Sequence, residues 1–291
     1  HKTVALIERS RYGGTCLNRG CIPTKVMVTA ANLVCETREG GRIGVLADHV
    51  RLDWDTVSKR LWHKIDEGPA IQMYYDQFAN VTTYNGTASF TGKKTMLVAK
   101  NDGTSEEIEG KQIFLATGGR TNIPQLPGLE EAGYVTSETF FGPKFPQKLY
   151  KSLIVIGGGP IGCEFSHVFQ TGGTKVTIVQ HNVRLLPKED EEVSDFMLKQ
   201  FENRGIDIRL NQDTVSVRVE HGEKVLTMRN RTSGEVTEVR AEEILVAPGI
   251  RPMTELLHLE HTDVQLDKRG YIRTNEFLET TADGIWAIGD V

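Results

Sequence analysis

A glycine-rich turn between an apolar run and a helical segment limits the folds open to this chain more than any other feature. Residues 153–156 (Leu-Ile-Val-Ile) are apolar, and residues 157–162 (Gly-Gly-Gly-Pro-Ile-Gly) follow them directly. Glycines in the first, third and sixth places of such a turn let the backbone approach a pyrophosphate at a helix N-terminus. The segment therefore predicts an α/β domain that binds a dinucleotide. The predicted contacts are Gly157, Gly159, Ile161 and Gly162.

Strands and helices alternate along most of the chain, as the spacing of its apolar residues indicates. Strand-like segments lie at 3–8, 80–115, 112–117, 153–156, 175–179, 208–247 and 285–288. The short apolar run at 3–8, which ends in an acid, predicts a buried parallel strand. Segments with helical spacing lie at 16–39, 53–65, 157–168 and 191–204. In the second of these, one apolar face is predicted, formed by Trp54, Val57, Leu61 and Ile65. This order predicts an α/β protein with two doubly wound, Rossmann-like parallel-sheet domains that carry β-meanders.

The composition excludes several classes of protein. A net charge of −5 over 291 residues and a pI near 6.0 give no reason to expect a nucleic acid or an anionic membrane as partner. No run of 18 apolar residues could span a bilayer. Four cysteines do not make a secreted disulfide scaffold of this size, so a cytoplasmic protein is expected. The eight histidines show no metal-ligand spacing, and no metal is expected.

Two of the cysteines stand in a segment that predicts redox chemistry, residues 13–25 (Gly-Gly-Thr-Cys-Leu-Asn-Arg-Gly-Cys-Ile-Pro-Thr-Lys). On a regular helix, the Cα atoms of Cys16 and Cys21 would lie roughly 8 to 9 Å apart, whereas a disulfide needs about 4.4 to 6.8 Å. A redox pair therefore requires a distorted turn at a helix start, which Gly20 and Pro23 permit. The positive end of the helix dipole would favour a thiolate there. Two unconnected thiols or half a metal site are the alternatives, although no second cysteine pair of suitable spacing exists.

This segment resembles the active-site motif of the class I pyridine nucleotide–disulfide oxidoreductases, a family that includes dihydrolipoamide dehydrogenase, mycothione reductase, mercuric reductase and glutathione reductase. The resemblance implies that Cys16 is the interchange thiol that attacks the substrate disulfide and that Cys21 lies against the flavin. It also implies that Lys25 lies near the reactive nitrogen of the flavin, with Glu164 as its partner.

The same resemblance extends through shorter motifs whose order along the chain matches the family. Residues 116–120 and 247–252 resemble the two crossovers between the flavin and nicotinamide domains, and residues 281–290 resemble a second flavin motif. Glu8 would hold the adenosine ribose of FAD, and Asp290 would hold its ribityl chain. The remaining implied cofactor contacts are Gly13, Gly14, Thr15, Lys25, Ala88, Thr117, Gly118, Arg120, Val215 and Gly249.

The choice between NADH and NADPH depends on the residues after the strand at 175–179. An acid in this place binds the ribose hydroxyls, and a nearby arginine accommodates the phosphate of NADPH. The chain has Gln180 and His181 here, with Arg184 shortly after. Arg184 is either a phosphate ligand or a solvated loop residue. Coenzyme choice stays open, with a lean towards NADPH.

The family pattern predicts an FAD-binding domain in two parts, residues 1–119 and 250–291, around an NAD(P)-binding domain at 120–249. The first flavin glycine motif and a C-terminal interface domain have no counterpart in the chain. We therefore expect a fragment of a longer protein that is a homodimer when full length. Cys35 and Cys163, which lie outside these motifs, are interpreted as small buried hydrophobic residues.

The resemblance implies a flavin-dependent disulfide oxidoreductase that passes electrons between NAD(P)H, FAD and a Cys16–Cys21 redox disulfide. Within the family, the first expectation is a dihydrolipoamide dehydrogenase-like enzyme acting on a small-molecule or lipoyl-type disulfide. Mycothione reductase and mercuric reductase are the alternatives. A non-catalytic dinucleotide-binding or redox-sensing module is the alternative from another class, and it would have no need of the dithiol.

Overall fold

The predicted alternation of strands and helices is present in the structure, a computed structural model that describes residues 2–291. The α-helices are α1 (Gly14–Arg19), α2 (Cys21–Glu39), α3 (Trp54–Ile65), α4 (Gly68–Tyr75), α5 (Leu129–Ala132), α6 (Ser137–Phe140), α7 (Pro160–Thr171) and α8 (Glu191–Asn203). The strands are β1 (Val4–Glu8), β2 (Val81–Phe90), β3 (Thr95–Lys100), β4 (Ser105–Glu109), β5 (Ile113–Leu115), β6 (Gly119–Thr121), β7 (Ser152–Ile156), β8 (Lys175–Val179), β9 (Asp207–Arg209), β10 (Gln212–Glu220), β11 (Glu223–Asn230), β12 (Val236–Ala241), β13 (Glu243–Val246), β14 (Ile250–Pro252) and β15 (Ile285–Ala287).

The chain divides into two compact units. The first comprises residues 2–18, Asp66–Arg120 and Ile250–Val291, and the second comprises Arg19–Ile65 and Thr121–Gly249. Helices α2 and α3 thus belong to the unit that contains the glycine-rich turn. Which cofactor each part of the chain serves stays a prediction.

The second unit is built on a parallel sheet with the strand order β13-β7-β8-β9. Its central strand β7 is buried almost throughout, as expected for an apolar run covered on both faces. Helix α7 connects β7 to β8, so the three elements form the βαβ unit that the glycine turn predicted. Strands β10, β11 and β12 form the expected antiparallel meander.

Aromatic side chains dominate the core beneath this sheet. Phe140 is fully buried, and its ring lies 5.0 Å from that of Phe165 and 5.8 Å from that of Phe169. Helix α3 contributes Trp54, whose indole stacks on Phe145 with 5.5 Å between ring centroids. The predicted apolar face of α3 is confirmed, because all four of its residues are buried. They are Trp54, Val57, Leu61 and Ile65.

The first unit contains two parallel strand pairs, β1 with β2 and β5 with β15, and the antiparallel strands β2-β3-β4. The α/β fold class with parallel sheets is therefore confirmed. The prediction that the first strand is buried is wrong, since Val4 is 47% exposed. The reason is its place at the edge of the sheet, where neighbouring strands flank it on one side only.

The helical segment predicted at 16–39 is two helices, with a break at Gly20. This residue has φ −136° and ψ −113°, outside the helical region, and it separates α1 from α2. Pro23 lies in the first turn of α2, where a helix does not require its missing N–H. The distortion expected between the two cysteines is therefore present. In residues 2–291 we find no helix that is both long and apolar enough to cross a membrane.

Candidate functional site

The glycine-rich turn joins β7 to α7, and each of its key glycines has a separate steric role. Gly157 has φ +112°, and a Cβ atom there would collide with the carbonyl of Ala247. A Cβ atom at Gly162 would collide with the carbonyl of Gly157, so α7 crosses the turn at backbone contact distance. Gly159, the N-cap of α7, has no neighbouring atom within 4 Å of where its Cβ would be. The turn is thus closed by packing on one side and open at the helix N-terminus, the geometry that suits a pyrophosphate.

Gln180 follows β8 directly and is buried against this turn. Its Oε1 accepts a hydrogen bond from the Gly158 N–H at 2.8 Å, and its Nε2 donates to the Arg184 carbonyl at 3.1 Å. Only 5% of the residue is exposed. The side chain expected near the coenzyme ribose is therefore engaged by the protein backbone at both ends of its amide.

The two other candidates for coenzyme choice are paired with acids. His181 Nδ1 lies 2.9 Å from Asp213 Oδ1, and the same oxygen lies 3.5 Å from Arg231 Nε. Arg184 forms an ion pair with Glu191 at the start of α8. This ion pair holds the pKa of the Glu191 carboxyl below its usual range. The side chains of His181 and Arg184 are 59% and 39% exposed.

Helices α2 and α7 lie side by side and run in the same direction, because three contacts follow in the same order along both. Their N-termini therefore lie at the same end of the pair, and both helix dipoles present their positive ends there. One N-terminus carries Cys21, and the other carries the glycine turn. The three contacts are the Lys25–Glu164 ion pair, Asn32 Oδ1 to His167 Nε2 at 2.8 Å and Cys35 Sγ to Thr171 Oγ1 at 3.3 Å.

The two cysteines of the predicted dithiol are both exposed. Cys16 lies on α1, and Cys21 is the first residue of α2. Lys25 is one helical turn beyond Cys21, and side chains with this spacing share a helix face. Lys25 pairs with Glu164 as the resemblance implied, and its side chain is 60% exposed. A positive charge is thus held one turn from the Cys21 thiol.

The other two cysteines differ from each other. Cys163 is buried, as predicted, and burial raises the pKa of its thiol to about 12, which keeps it protonated. The prediction that Cys35 is buried is wrong, because Cys35 is half-buried. Its thiol contacts the Thr171 hydroxyl at the edge of the contact between α2 and α7.

Several of the residues implied for the flavin lie in short turns of the first unit. Glu8 ends β1, and its Oε1 accepts a hydrogen bond from the Ser10 N–H at 2.8 Å. Thr117 donates its hydroxyl hydrogen to the Met253 carbonyl at 2.9 Å, and Arg120 pairs with Glu255. Exposed or half-buried members of the same predicted set are Gly13, Gly14, Thr15, Ala88, Gly118 and Asp290.

The two remaining predicted contacts belong to the second unit. Gly249 has φ +136° and open space around its Cβ position, so the backbone there is accessible. Val215 lies in β10 where the register with β11 shifts between Thr214 and Ser216, so it occupies a β-bulge. Bulges re-aim side chains next to binding sites, which is compatible with a coenzyme contact.

Both the sequence and the architecture match known proteins. The family model described as "Pyridine nucleotide-disulphide oxidoreductase" matches residues 1–291. The chain belongs to the pyridine nucleotide-disulphide oxidoreductase family. The predicted family resemblance is confirmed.

Members of the pyridine nucleotide-disulphide oxidoreductase family with high similarity include a dihydrolipoyl dehydrogenase of Zymomonas mobilis subsp. mobilis, 34% identical over 99% of this chain and 61% of the relative. The probable pyridine nucleotide-disulfide oxidoreductase RclA of Escherichia coli is 33% identical over 99% of the chain and 60% of the relative. The solved structure of "HOCl-induced flavoprotein disulfide reductase RclA" from the same species superimposes with a TM-score of 0.83 at 29% identity, over 98% of this chain and 60% of that one. The chain thus spans about 60% of the length of these relatives.

In this member of the pyridine nucleotide-disulphide oxidoreductase family, Asn18 braces the segment that contains Cys16 and Cys21, a role that sequence reasoning missed. Asn18 is 2% exposed, and its Nδ2 donates to the carbonyls of Gly14 at 2.9 Å and Tyr12 at 3.1 Å. An asparagine between two cysteines, next to a glycine turn, is the available signal, because its short amide readily bonds local backbone.

Sequence reasoning also missed the partner of one candidate residue and a buried histidine between two helices. Asp213, the partner of His181, lies on β10, and His167 lies inside the contact between α2 and α7. Apolar spacing gives no signal for either residue, since both contacts join elements that are distant along the chain.

Proposed function

We propose that this chain is the coenzyme- and thiol-bearing part of a flavin-dependent disulfide oxidoreductase, with Cys16 and Cys21 as its redox pair. The relatives it matches are named dihydrolipoyl dehydrogenase and disulfide reductase, which supports this class of reaction. FAD would supply two-electron redox chemistry between NAD(P)H and the thiols. Its proposed contacts include Glu8, Thr117 and Asp290.

One observation carries the proposal. The Lys25–Glu164 ion pair joins the helix that begins at Cys21 to the helix that begins at the glycine turn, and the two N-termini point the same way. A protein that only bound a dinucleotide would have no use for a reactive thiol and a lysine at that end. The arrangement therefore favours a thiol that receives electrons over the non-catalytic binding module.

In the proposed reaction, the two thiols reduce a substrate disulfide in two exchange steps. The Cys16 thiolate attacks one sulfur of a substrate disulfide, and the other substrate sulfur leaves as a thiolate that takes up a proton. Cys21, as a thiolate, then attacks the Cys16 sulfur and releases the second substrate thiol, which closes the Cys16–Cys21 disulfide. Two electrons and two protons from NAD(P)H and solvent restore the dithiol. Lys25 stabilises negative charge near Cys21 during both steps.

The glycine turn and the residues after β8 provide groups that suit a nicotinamide dinucleotide. The open place at Gly159 and the N-terminus of α7 suit its pyrophosphate, and His181 and Arg184 lie near the strand end that approaches its ribose. We propose NAD(P)H as the coenzyme, with a lean towards NADPH because no acid stands at residue 180.

For the substrate we propose a small-molecule disulfide of the lipoyl type. The similarity to a dihydrolipoyl dehydrogenase supports this choice over mycothione or mercuric reduction. A homodimer and a cytoplasmic location are part of the same proposal, and membership of the family is their only support.

The test is an anaerobic titration of the FAD-loaded protein with NADH and, separately, NADPH, followed by visible absorbance. We expect a long-wavelength band that reports a thiolate against the flavin, and we expect Cys21→Ser to abolish it. Cys35→Ser is the matched control, because this cysteine lies on the same helix outside the motif. Direct bleaching of the flavin without the band, or a band that survives in Cys21→Ser, would contradict the dithiol assignment.

A further inference from the structure

Gln180 makes more hydrogen bonds with the protein than a residue that reads the ribose would need. Besides its two amide contacts, its backbone N–H donates to the Arg209 carbonyl at 2.9 Å, and its carbonyl accepts from the Gln212 N–H at 3.0 Å. Each of the four polar atoms of this residue thus has a hydrogen-bond partner in the protein. With only 5% of the residue exposed, little of it is left to meet a ribose.

Residues 180–186 bond both the N–H and the carbonyl of Gly158. The Leu186 N–H donates to the Gly158 carbonyl at 2.8 Å, while Gln180 accepts from the Gly158 N–H. The side chain of Leu185, 1% exposed, approaches to 2.5 Å of where a Cβ atom of Gly158 would lie. Residues 180–186 therefore hold the middle of the turn through two hydrogen bonds, and Leu185 leaves no room for a side chain at Gly158.

The amide group is required by what it contacts. Towards Gly158 it must accept a hydrogen bond, and towards the Arg184 carbonyl it must donate one. An ionised carboxylate accepts at both oxygens and donates at neither. A glutamate at this position would place an oxygen against the Arg184 carbonyl, so the absence of an acid after β8 follows from the way the turn is built.

From these contacts we propose that Gln180 is a positioning residue, which fixes the Gly157–Gly159 turn for the pyrophosphate and does not itself recognise the ribose. The inference rests on the proposed binding of a dinucleotide at this turn. Because NADH and NADPH share the pyrophosphate, loss of the Gln180 amide weakens both equally. Discrimination between the two then falls to the exposed groups beyond it, His181 and Arg184.

The first test is calorimetric titration of the protein with NADH and with NADPH, which needs no flavin turnover. Gln180→Met keeps the length of the side chain and removes both amide contacts. We expect this variant to bind each coenzyme about tenfold more weakly, as the loss of two modest hydrogen bonds predicts, with the ratio of the two affinities unchanged. His181→Ala is the matched comparison, and it should change the ratio.

The second test uses Gln180→Glu and its pH dependence. A protonated glutamic acid accepts at one oxygen and donates from the other, so it can replace the amide. We expect the affinity of this variant for both coenzymes to rise as the pH is lowered from 8 towards about 5, which is the range in which a buried carboxyl takes up its proton. If the carboxylate bound the ribose, the affinity would instead fall as the pH is lowered, and the fall would be largest for NADH.

The unmodified protein is the control for the other charged groups around residue 180. They are Arg184 with Glu191 of α8, His181 with Asp213 of β10, and Arg209 of β9. Each is present in both proteins, so the difference between the two pH profiles isolates residue 180. Circular dichroism at every pH confirms that both proteins are folded.

The affinities of Gln180→Met and of the unmodified protein for the two coenzymes decide the question. A change of more than about threefold in the NADPH-to-NADH affinity ratio in Gln180→Met would overturn the inference and make Gln180 a ribose ligand. Unchanged affinities for both coenzymes would overturn it as well, because the turn would then not depend on the amide. If the unmodified protein bound neither coenzyme, the proposed function would fail instead, and the variants would not be needed to decide it.

Discussion

The glycine turns at 157–162 and 13–14 are built on different principles. In the turn at 157–162, Gly157 and Gly162 are required by space, because a Cβ atom at either would collide with backbone carbonyls. At the start of α1, Gly13 and Gly14 have φ values of +103° and +61°; a Cβ atom at Gly13 would meet the side chains of Leu17 and Ile71, and one at Gly14 would meet nothing within 4 Å. The first turn is therefore fixed by packing inside its own unit, whereas the second depends on backbone torsion and stays exposed.

The largest effect that this comparison predicts is at Gly162. In Gly162→Ala the added methyl group meets the Gly157 carbonyl, so the crossing of turn and helix must open. We expect the free energy of unfolding to fall by about 3 kcal/mol, which lowers Tm by roughly 6 to 12 °C for a protein of this size. Thermal unfolding followed by circular dichroism measures the change.

Gly159→Ala is the control for this prediction. Gly159 has φ −81° and open space around it, so alanine fits the fold without strain. We expect its Tm to stay within about 2 °C of that of the unmodified protein. The affinity for NADPH should fall, because the methyl group occupies the open space beside Gly159 where the pyrophosphate is proposed to bind. Equal losses of Tm in the two variants would mean that close packing does not distinguish the glycines.

The second predicted effect is a pH dependence of stability that comes from the helix after the turn at 157–162. His167 of α7 is 8% exposed, and Arg204 donates to its Nδ1 at 3.3 Å, so the ring proton lies on Nε2 and faces Asn32. Burial, with the Arg204 charge in second place, lowers the pKa of His167 to about 4. The unfolded chain, with a histidine pKa near 6.5, therefore binds more protons than the folded chain between these two values.

Stability is thus fully present above about pH 6.5 and is lost as the pH falls towards 4, by up to roughly 3 kcal/mol from this group. Urea unfolding at several pH values between 4 and 7 tests this. His167→Gln keeps a donor and an acceptor but cannot take up a proton, so its stability should vary less steeply with pH. Parallel slopes for the two proteins would show that the histidine is not the titrating group.

Sequence reasoning succeeded where structure depends on neighbouring residues. The strand at 175–179 was predicted with its observed bounds, and the buried face of α3 was predicted residue by residue, because local spacing encodes both. It failed where structure depends on distant partners. Val4 and Cys35 were assigned to the interior from residue type alone, although one lies in an edge strand and the other at a helix edge.

The candidate site shows the same division. Spacing and glycine content located the turn at 157–162, and the cysteine segment was found from its own residues. The partnership of Lys25 with Glu164 came from family resemblance, because the two residues are 139 positions apart. The role of Gln180 required the structure, since only the fold brings its amide to Gly158.

A smaller effect is expected at the exposed turn. Gly14 has φ +61° and open space, so Gly14→Ala meets no atom and suffers only the torsional strain of a left-handed residue. We expect a loss of about 1 kcal/mol in the free energy of unfolding. Asparagine tolerates this torsion better, so Gly14→Asn should lose less. A loss at Gly14→Ala as large as that at Gly162→Ala would remove the contrast between the two turns.

The smallest effect on stability is expected at the Lys25–Glu164 ion pair, which links the dithiol helix to the helix of the packed turn. Its lysine is 60% exposed, so Lys25→Met should change the free energy of unfolding by less than about 1 kcal/mol. The same variant should slow the reaction of Cys21 with iodoacetamide by about threefold, because a nearby positive charge favours the thiolate. Peptide mass spectrometry distinguishes Cys21 from Cys16, and 1 M KCl should shrink the difference by screening. An unchanged rate in Lys25→Met, with stability also unchanged, would mean that this pair neither braces the two helices nor activates the thiol.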